Sequence, residues 1–265
     1  DSVEVIGFDG SPASPEPYEV AWDASAADKG GWSTFMAKEI TEEPDAVANT
    51  LLGRSDDGLV RLTELDAIGD DALRDRDRVV IVACGTASYA GLVGKYAVEA
   101  WARVPVDVEF SHEFRYRDPV ITNRPLVVSI SQSGETMDTL LAVRFAREAG
   151  ARTLSICNTQ GATIPRESEA VVYTHAGPEV AVASTKAFVA QIAALQMLGM
   201  HLGRVRGVFS DADHRTAFAE LLVVPAKLAT VIATSKEKIE QRAHWMADTQ
   251  SVLFLGRHVG FPIAL

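Results

Sequence analysis

The sequence predicts an α/β fold, a three-layer α/β/α domain built on a mainly parallel sheet of about five strands, plus flanking helices. Two observations favour it. Apolar, β-branched runs, typical of strands buried on both faces, alternate with segments of helical periodicity. Their spacing fits βαβ units, whose right-handed crossovers place helices on both faces of a sheet. The predicted strands are Arg78–Cys84, Val106–Phe110, Leu126–Ile130, Thr153–Asn158 and Val171–Thr174, with Val106–Phe110 alternating like an edge strand.

The segments that flank these strands predict three divisions of the chain, 1–65, 66–210 and 211–265. Proline and glycine in residues 1 to about 20 indicate an extended linker. A helical lead-in begins at about Ser33 and is interrupted by Pro44, and a short strand is expected at Val60–Leu62. Residues 209–247 have the pattern of two amphipathic helices.

The last apolar run, Gln250–Gly256, resembles Arg78–Gly85 in composition and in its terminal glycine. A helix start at Pro262 follows it. We therefore expect a buried strand here, and we interpret it as the truncated start of a second copy of the domain.

Composition argues against several classes of function. The 265 residues are 47% hydrophobic and carry a net charge of −11, which disfavours nucleic-acid and membrane partners. Cys84 and Cys157 lie in or beside apolar runs, so they are expected to be reduced core residues and not metal ligands. We expect no metal and no cofactor. No signal peptide or unbroken apolar run of about 18 residues is visible, which predicts a cytoplasmic protein.

The polar turn Ser131–Thr136 follows one predicted strand and precedes a helix. Five hydrogen-bonding side chains crowd it, at the carboxyl end of a strand, where open α/β sheets bind ligands. Ser133 is expected to cap the helix, and Gly134 to let the backbone approach a ligand closely. Free amides and the positive helix end then make an anion site without a lysine.

A second polar cluster, Gly177–Lys186, precedes a long helix that Ser184 is expected to cap. Lys186 falls in the first turn, where the helix dipole disfavours a cation. A bound phosphate would offset that cost.

Three segments together resemble the sugar isomerase (SIS) domain family, namely Cys84–Thr86, Ser131–Thr136 and Val182–Lys186. The fuller resemblance is to the isomerising glutamine–fructose-6-phosphate aminotransferases, through Asp28–Gly31, Phe35–Ile40, Ser111–Tyr116 and Phe254–Arg257. It implies a SIS fold and a parent chain with an amino-terminal glutaminase domain and two SIS domains. The expected divisions are then a post-glutaminase linker, the first SIS domain, and connecting helices with the start of the second.

The resemblance also implies which residues hold the ligand. It assigns Thr86, Ser131, Ser133 and Thr136 to the sugar phosphate, Gln132 beside them, and Val182 and Ser184 to the sugar. Gly85, Ser88, Gly134 and Lys186 are further candidates. Ala87 stands where the family often has serine, so Ser88 is the nearby substitute for that hydroxyl.

The implied ligand is fructose 6-phosphate or glucosamine 6-phosphate, and the implied partners are a glutaminase domain and a second copy in a homodimer. The family's proton-transfer groups match no segment here, so no catalytic residue is assigned, and we expect binding without turnover. Three alternatives remain open: another SIS-family phosphosugar isomerase or deglycase, a non-catalytic sugar-phosphate sensor, and a flavodoxin-like nucleotide binder. No Gly-x-Gly-x-x-Gly follows the first strand, which argues against the last.

Overall fold

The computed structural model describes residues 4–14, 27–121 and 124–265. The strands are β1 (Ser55–Asp56), β2 (Leu59–Val60), β3 (Arg78–Ala83), β4 (Val106–Phe110), β5 (Pro125–Ser131), β6 (Arg152–Cys157) and β7 (Ala170–Tyr173). The helices are α1 (Phe35–Thr41), α2 (Glu43–Leu51), α3 (Asp70–Arg74), α4 (Thr86–Ala102), α5 (Ser111–Phe114), α6 (Met137–Glu148), α7 (Thr163–Glu167), α8 (Lys186–Val205), α9 (Asp211–Leu222), α10 (Val224–Met246) and α11 (Gly260–Ala264). A short 3-10 helix spans Thr63–Ala67.

Five strands form one parallel sheet in the order β4-β3-β5-β6-β7, with β4 at one edge. This confirms the predicted α/β class. The strand predictions succeed because the two central strands have almost no exposed residue: β5 is buried throughout, and β3 from Val79 to Ala83. A continuous apolar run is what such a doubly covered strand requires.

Helices cover both faces of this sheet. On one face the main core joins alternate sheet residues such as Val79, Ile81 and Val128 to α2, α4 and α8. On the other face Val80, Val82 and Val127 pack against α5 and α6. This division follows the period of two in a strand, which points successive side chains to opposite faces.

The structure differs in detail from the predictions for two segments that precede the sheet. The lead-in is two helices, and Pro44 stands in the first turn of α2, where a missing amide hydrogen costs nothing. The strand expected at Val60–Leu62 is β2, which pairs with β1 across the Asp57–Gly58 turn. His214 and His201 hold this region: the amide of Val60 donates to His214 Nε2 and the amide of Leu62 to His201 Nδ1.

The strand expected at Gln250–Gly256 is not formed. These residues belong to no described helix or strand, and Leu253 and Leu255 are more than four-fifths exposed. Within the described ranges no neighbouring strand supplies the hydrogen-bond partners that an apolar run needs to become one. Pro262 lies in the short helix α11.

The two helices expected over residues 209–247 are α9 and α10, which form a continuous helical run, Asp211–Met246. By length and composition alone this run could cross a membrane, and only 6% of its apolar window is buried. A single run of this kind in the described residues is weak evidence for a membrane span.

Candidate functional site

The order of strands places the candidate site. The chain passes from β3 outward to β4 and then returns to the other side of β3 as β5. The carboxyl ends of β3 and β5 are therefore the point where the direction of winding reverses, and open α/β sheets bind ligands at such a point. A cavity of about 190 Å³ lies there. Its lining is Cys84, Thr86, Ala87, Ile130, Ser131, Gln132, Ser133, Thr136, Glu179, Ala181, Val182, Ser184 and Gln191.

All seven residues assigned to the ligand line this one cavity. The fold brings together Thr86 from the start of α4, Ser131 from β5, and Ser184 from the loop before α8, with Gln132, Ser133, Thr136 and Val182. Gly85, Ser88, Gly134 and Lys186 are not in the lining, whereas Ala87 is. The side chain of Ser88 instead donates to the carbonyl of Gly85 within its own helix turn.

Internal hydrogen bonds shape the turn after β5. The Gly134 amide donates to Ser131 Oγ at 2.9 Å, and the Glu135 amide donates to Ser133 Oγ at 3.2 Å. Ser133 therefore does not cap α6, which begins at Met137 after Thr136 with no side-chain cap. The first amides of α6 keep no partner within the helix and remain available to an anion.

Gly134 has a different role from the one expected. Its φ is +69°, and a Cβ there would lie 2.6 Å from Ala162 Cβ and 2.8 Å from Cys157 Sγ. The missing side chain thus makes room for packing inside the protein and not for a ligand. Burial raises the pKa of the Cys157 thiol to about 12, which makes it an inert core residue.

The lining holds one charged side chain, the carboxylate of Glu179. A phosphate in this cavity would be held by hydroxyls, amides and the end of α6. Because neither lysine nor arginine lines the cavity, we expect binding to rest on hydrogen bonds more than on charge. Among the described residues, no group of three metal-ligating side chains is found.

Glu179 caps α8. Its Oε1 accepts from the amides of Thr185 at 2.9 Å and Ala187 at 3.1 Å, and its Oε2 accepts from Ser184 Oγ at 2.9 Å. Ser184 is therefore not the cap that the sequence suggested, because its hydroxyl is the donor in this contact. Because the Ser184 hydroxyl already donates its hydrogen bond to Glu179, it can only accept a hydrogen bond from a ligand.

Side chains from distant parts of the chain brace the loop between β7 and α8. Glu39 of α1, 2% exposed, accepts from the amides of Val180 at 2.6 Å and Ala181 at 3.2 Å. Asn158 Nδ2, after β6, donates to the carbonyl of Gly177 at 2.7 Å. The loop that carries Val182 and Ser184 is thus fixed by the lead-in helix and by the neighbouring strand.

Lys186 forms an ion pair with a carboxylate: its Nζ lies 2.6 Å from Glu42 Oε2, and the residue is 3% exposed. This carboxylate, and not the phosphate suggested by the sequence, offsets the unfavourable interaction of the lysine with the helix dipole. Next to it, burial and the charge of Glu179 raise the pKa of the Glu43 carboxyl.

Sequence reasoning missed Glu39, Glu179 and Gln191. Glu179 stands in the quoted Gly177–Lys186 cluster, so its spacing to the α8 start was a usable capping signal. Glu39 gave no such signal, because its contacts lie 141 and 142 residues away. Gln191 looks like an ordinary polar position on a long helix.

A larger groove of about 490 Å³ lies elsewhere, between α2, α4, α8, α9 and α10. Its lining is mainly apolar, with Trp101, Met200 and Leu221 among its residues and Gln196, Glu220 and Lys227 as its polar ones. It lacks the convergent hydroxyls and helix amides of the smaller cavity.

Comparisons with known proteins indicate the family of the chain. The SIS domain family profile matches residues 72–201. The glutamine–fructose-6-phosphate aminotransferase (isomerising) of Leifsonia xyli subsp. xyli is 68% identical over the whole chain, and that of Tropheryma whipplei 55%. The chain spans about 43% of the length of each of these relatives.

A solved structure has the same fold. The C-terminal domain of the glucosamine-fructose-6-phosphate aminotransferase from Francisella tularensis is 37% identical, with a TM-score of 0.85 over 89% of this chain and 66% of that chain. Residues 72–201 belong to the SIS domain family, and the chain aligns along its whole length with part of the isomerising glutamine–fructose-6-phosphate aminotransferases.

Proposed function

We propose that this chain supplies the sugar-phosphate anchor of an isomerising glutamine–fructose-6-phosphate aminotransferase. The observation that carries the proposal is that all seven assigned residues line one cavity, at the switch point of the sheet. The parent enzyme would form glucosamine 6-phosphate from fructose 6-phosphate and glutamine in the cytoplasm, as a homodimer with its own glutaminase domain. The names of the similar proteins support this reaction.

The ligand's phosphate would sit on the turn after β5. Hydroxyls of Ser131, Ser133 and Thr136 and the first amides of α6 would surround the phosphate oxygens. The sugar would extend towards Val182 and Ser184 on the braced loop. This orientation places the reacting carbons away from the phosphate, so the anchor acts by fixing the distance between the sugar and groups beyond this cavity.

The chain would bind this ligand without turning it over. Moving a proton between adjacent carbons needs a general base within hydrogen-bond reach of both. Glu179 is the carboxylate in the lining, and both of its oxygens are engaged in holding the start of α8. The base, the ring-opening group and the ammonia source would come from other parts of the parent chain or its partner.

Isothermal titration of the chain with glucosamine 6-phosphate tests the anchor. We expect Ser133→Ala to weaken binding about fivefold or more, because one hydrogen bond to a charged oxygen is lost. Ser235→Ala, the same change on α10 outside the cavity lining, should leave the affinity unchanged.

Two results would count against the proposal. Equal heats for wild type and Ser133→Ala would mean that this turn is not the cradle. No heat from the wild-type chain would mean that the cavity does not bind the ligand at all.

A further inference from the structure

Gln191 is a polar residue that the fold leaves unsatisfied at the wall of the cavity. It lies on the second turn of α8, is 2% exposed, and lines the cavity beside Glu179 and Ser184. Its Oε1 is buried without a hydrogen-bond partner, and no hydrogen bond of its side chain is found among the described residues. Buried amides are rarely left in this state, because each unmet group costs free energy.

Two other polar groups of the cavity, one buried and one half-buried, are already engaged. Ser131 Oγ accepts from the Gly134 amide, and Ser184 Oγ donates to Glu179. Gln191 differs from them because its amide has unused capacity both to donate and to accept. A ligand hydroxyl, which also donates and accepts, is the chemical partner that such an amide suits.

Two groups in the lining have opposite hydrogen-bonding character. The turn after β5 leads into helix amides that can only donate. Glu179 and Ser184, from the loop before α8, have only lone pairs left to offer. A ligand that suits both groups carries an anion together with hydroxyl or amino donors.

We propose that Gln191 is a specificity-determining residue of this site, whose side-chain amide binds a hydroxyl of the sugar and not the phosphate. The inference rests on the proposed function, and it assigns Gln191 to the sugar end together with Ser184. Under this assignment, inorganic phosphate bound at the turn after β5 leaves the Gln191 amide unpaired. A hexose phosphate pairs with it through a sugar hydroxyl.

The variant Gln191→Met separates this role from a structural one. Methionine has nearly the same length and no amide, so it removes an unpaired polar group from the interior. The thermal midpoint of the variant should equal or exceed that of the wild type. Its affinity for glucosamine 6-phosphate should fall about tenfold, while its affinity for inorganic phosphate stays the same.

The matched control is Gln196→Met, which makes the same change on the same helix. Gln196 lines the apolar groove and not this cavity, so both affinities should stay at the wild-type values. Titration calorimetry of the wild type and both variants with glucosamine 6-phosphate and, separately, with inorganic phosphate gives the six affinities.

Three outcomes would overturn the inference. In the first, Gln191→Met binds the hexose phosphate as tightly as the wild type. In the second, it loses affinity for both ligands equally and melts at a lower temperature, which is the mark of a structural residue. In the third, the wild type binds neither ligand, and the proposed function then fails together with this inference.

Discussion

At the scale of single residues, the site depends on which atoms donate and which accept. Ser131 and Ser133 each accept from an amide of their own turn, which holds the backbone in the shape that presents the α6 amides. Ser184 donates to Glu179 and keeps only lone pairs for a ligand. Hydroxyls of one kind thus perform opposite tasks, and the difference comes from their neighbours.

Gly134 sets the geometry of the turn after β5, and its replacement should cost stability. Gly134→Ala adds a Cβ at φ +69°, 2.6 Å from Ala162 Cβ, so strain and overpacking add up to about 2–4 kcal/mol of lost unfolding free energy. Urea denaturation of the wild type and the variant measures this loss of unfolding free energy.

The control for Gly134 is Gly150→Ala, at φ +81° with open space around the added atom. It should cost only about 1 kcal/mol, since backbone strain acts there without a clash. Equal losses for the two variants would contradict the view that Ala162 and Cys157 require a glycine.

At the scale of elements, the site lies where three segments far apart in sequence meet. The turn after β5 and the start of α4 come from the sheet itself, whereas the loop before α8 is held from outside by α1. A strand end is positioned by its ladder of hydrogen bonds, but a loop needs other anchors for its amides. Glu39 is the anchor on the lead-in side, so we expect α1 to support the candidate site although it does not line the cavity.

Removing the Glu39 carboxylate should release that loop. In Glu39→Ala the amides of Val180 and Ala181 lose their acceptor, and their hydrogen exchange should become at least about tenfold faster. Affinity for fructose 6-phosphate should fall with it, while the amides of β5 keep their protection. Exchange is followed residue by residue by NMR.

Asp45→Asn is the control for Glu39, because it removes an exposed carboxylate from the neighbouring helix α2. It should alter neither exchange nor affinity. Unchanged exchange at Val180 and Ala181 in Glu39→Ala would refute the bracing role of α1.

Elements with strong local patterns were predictable from the sequence, and those that depend on distant partners were not. The five sheet strands follow from apolar runs, and the polar turn between β5 and α6 follows from its serines and glycine, because each signal lies within about ten residues. The caps of α6 and α8 were wrong, since Ser133 and Ser184 have rival partners close by. Val252–Leu255 has the composition of a strand but forms none, because a strand also needs a neighbouring segment to pair with.

At the scale of the whole molecule, charge opposes the proposed ligand. The chain carries a net charge of −11, and Glu179 adds a carboxylate to the cavity itself. A sugar phosphate dianion is therefore repelled at long range, and the hydrogen bonds of the turn after β5 have to overcome that repulsion at contact. A site built on lysine or arginine would instead gain from long-range attraction.

The affinity of a neutral hydrogen-bonding site and that of a site built on fixed cations should therefore respond to added salt in opposite directions. Raising sodium chloride from about 20 mM to about 300 mM shortens the screening length and weakens the repulsion. Affinity for fructose 6-phosphate, measured by titration calorimetry, should therefore stay within about twofold or rise, whereas attraction to fixed cations would make it fall. Repeating the series with sodium acetate separates screening from competition by chloride for the α6 amides. A fall of about tenfold in both salts would mean that a cation outside the cavity lining, such as Lys186 released from Glu42, reaches the phosphate, and the neutral cradle would then be wrong.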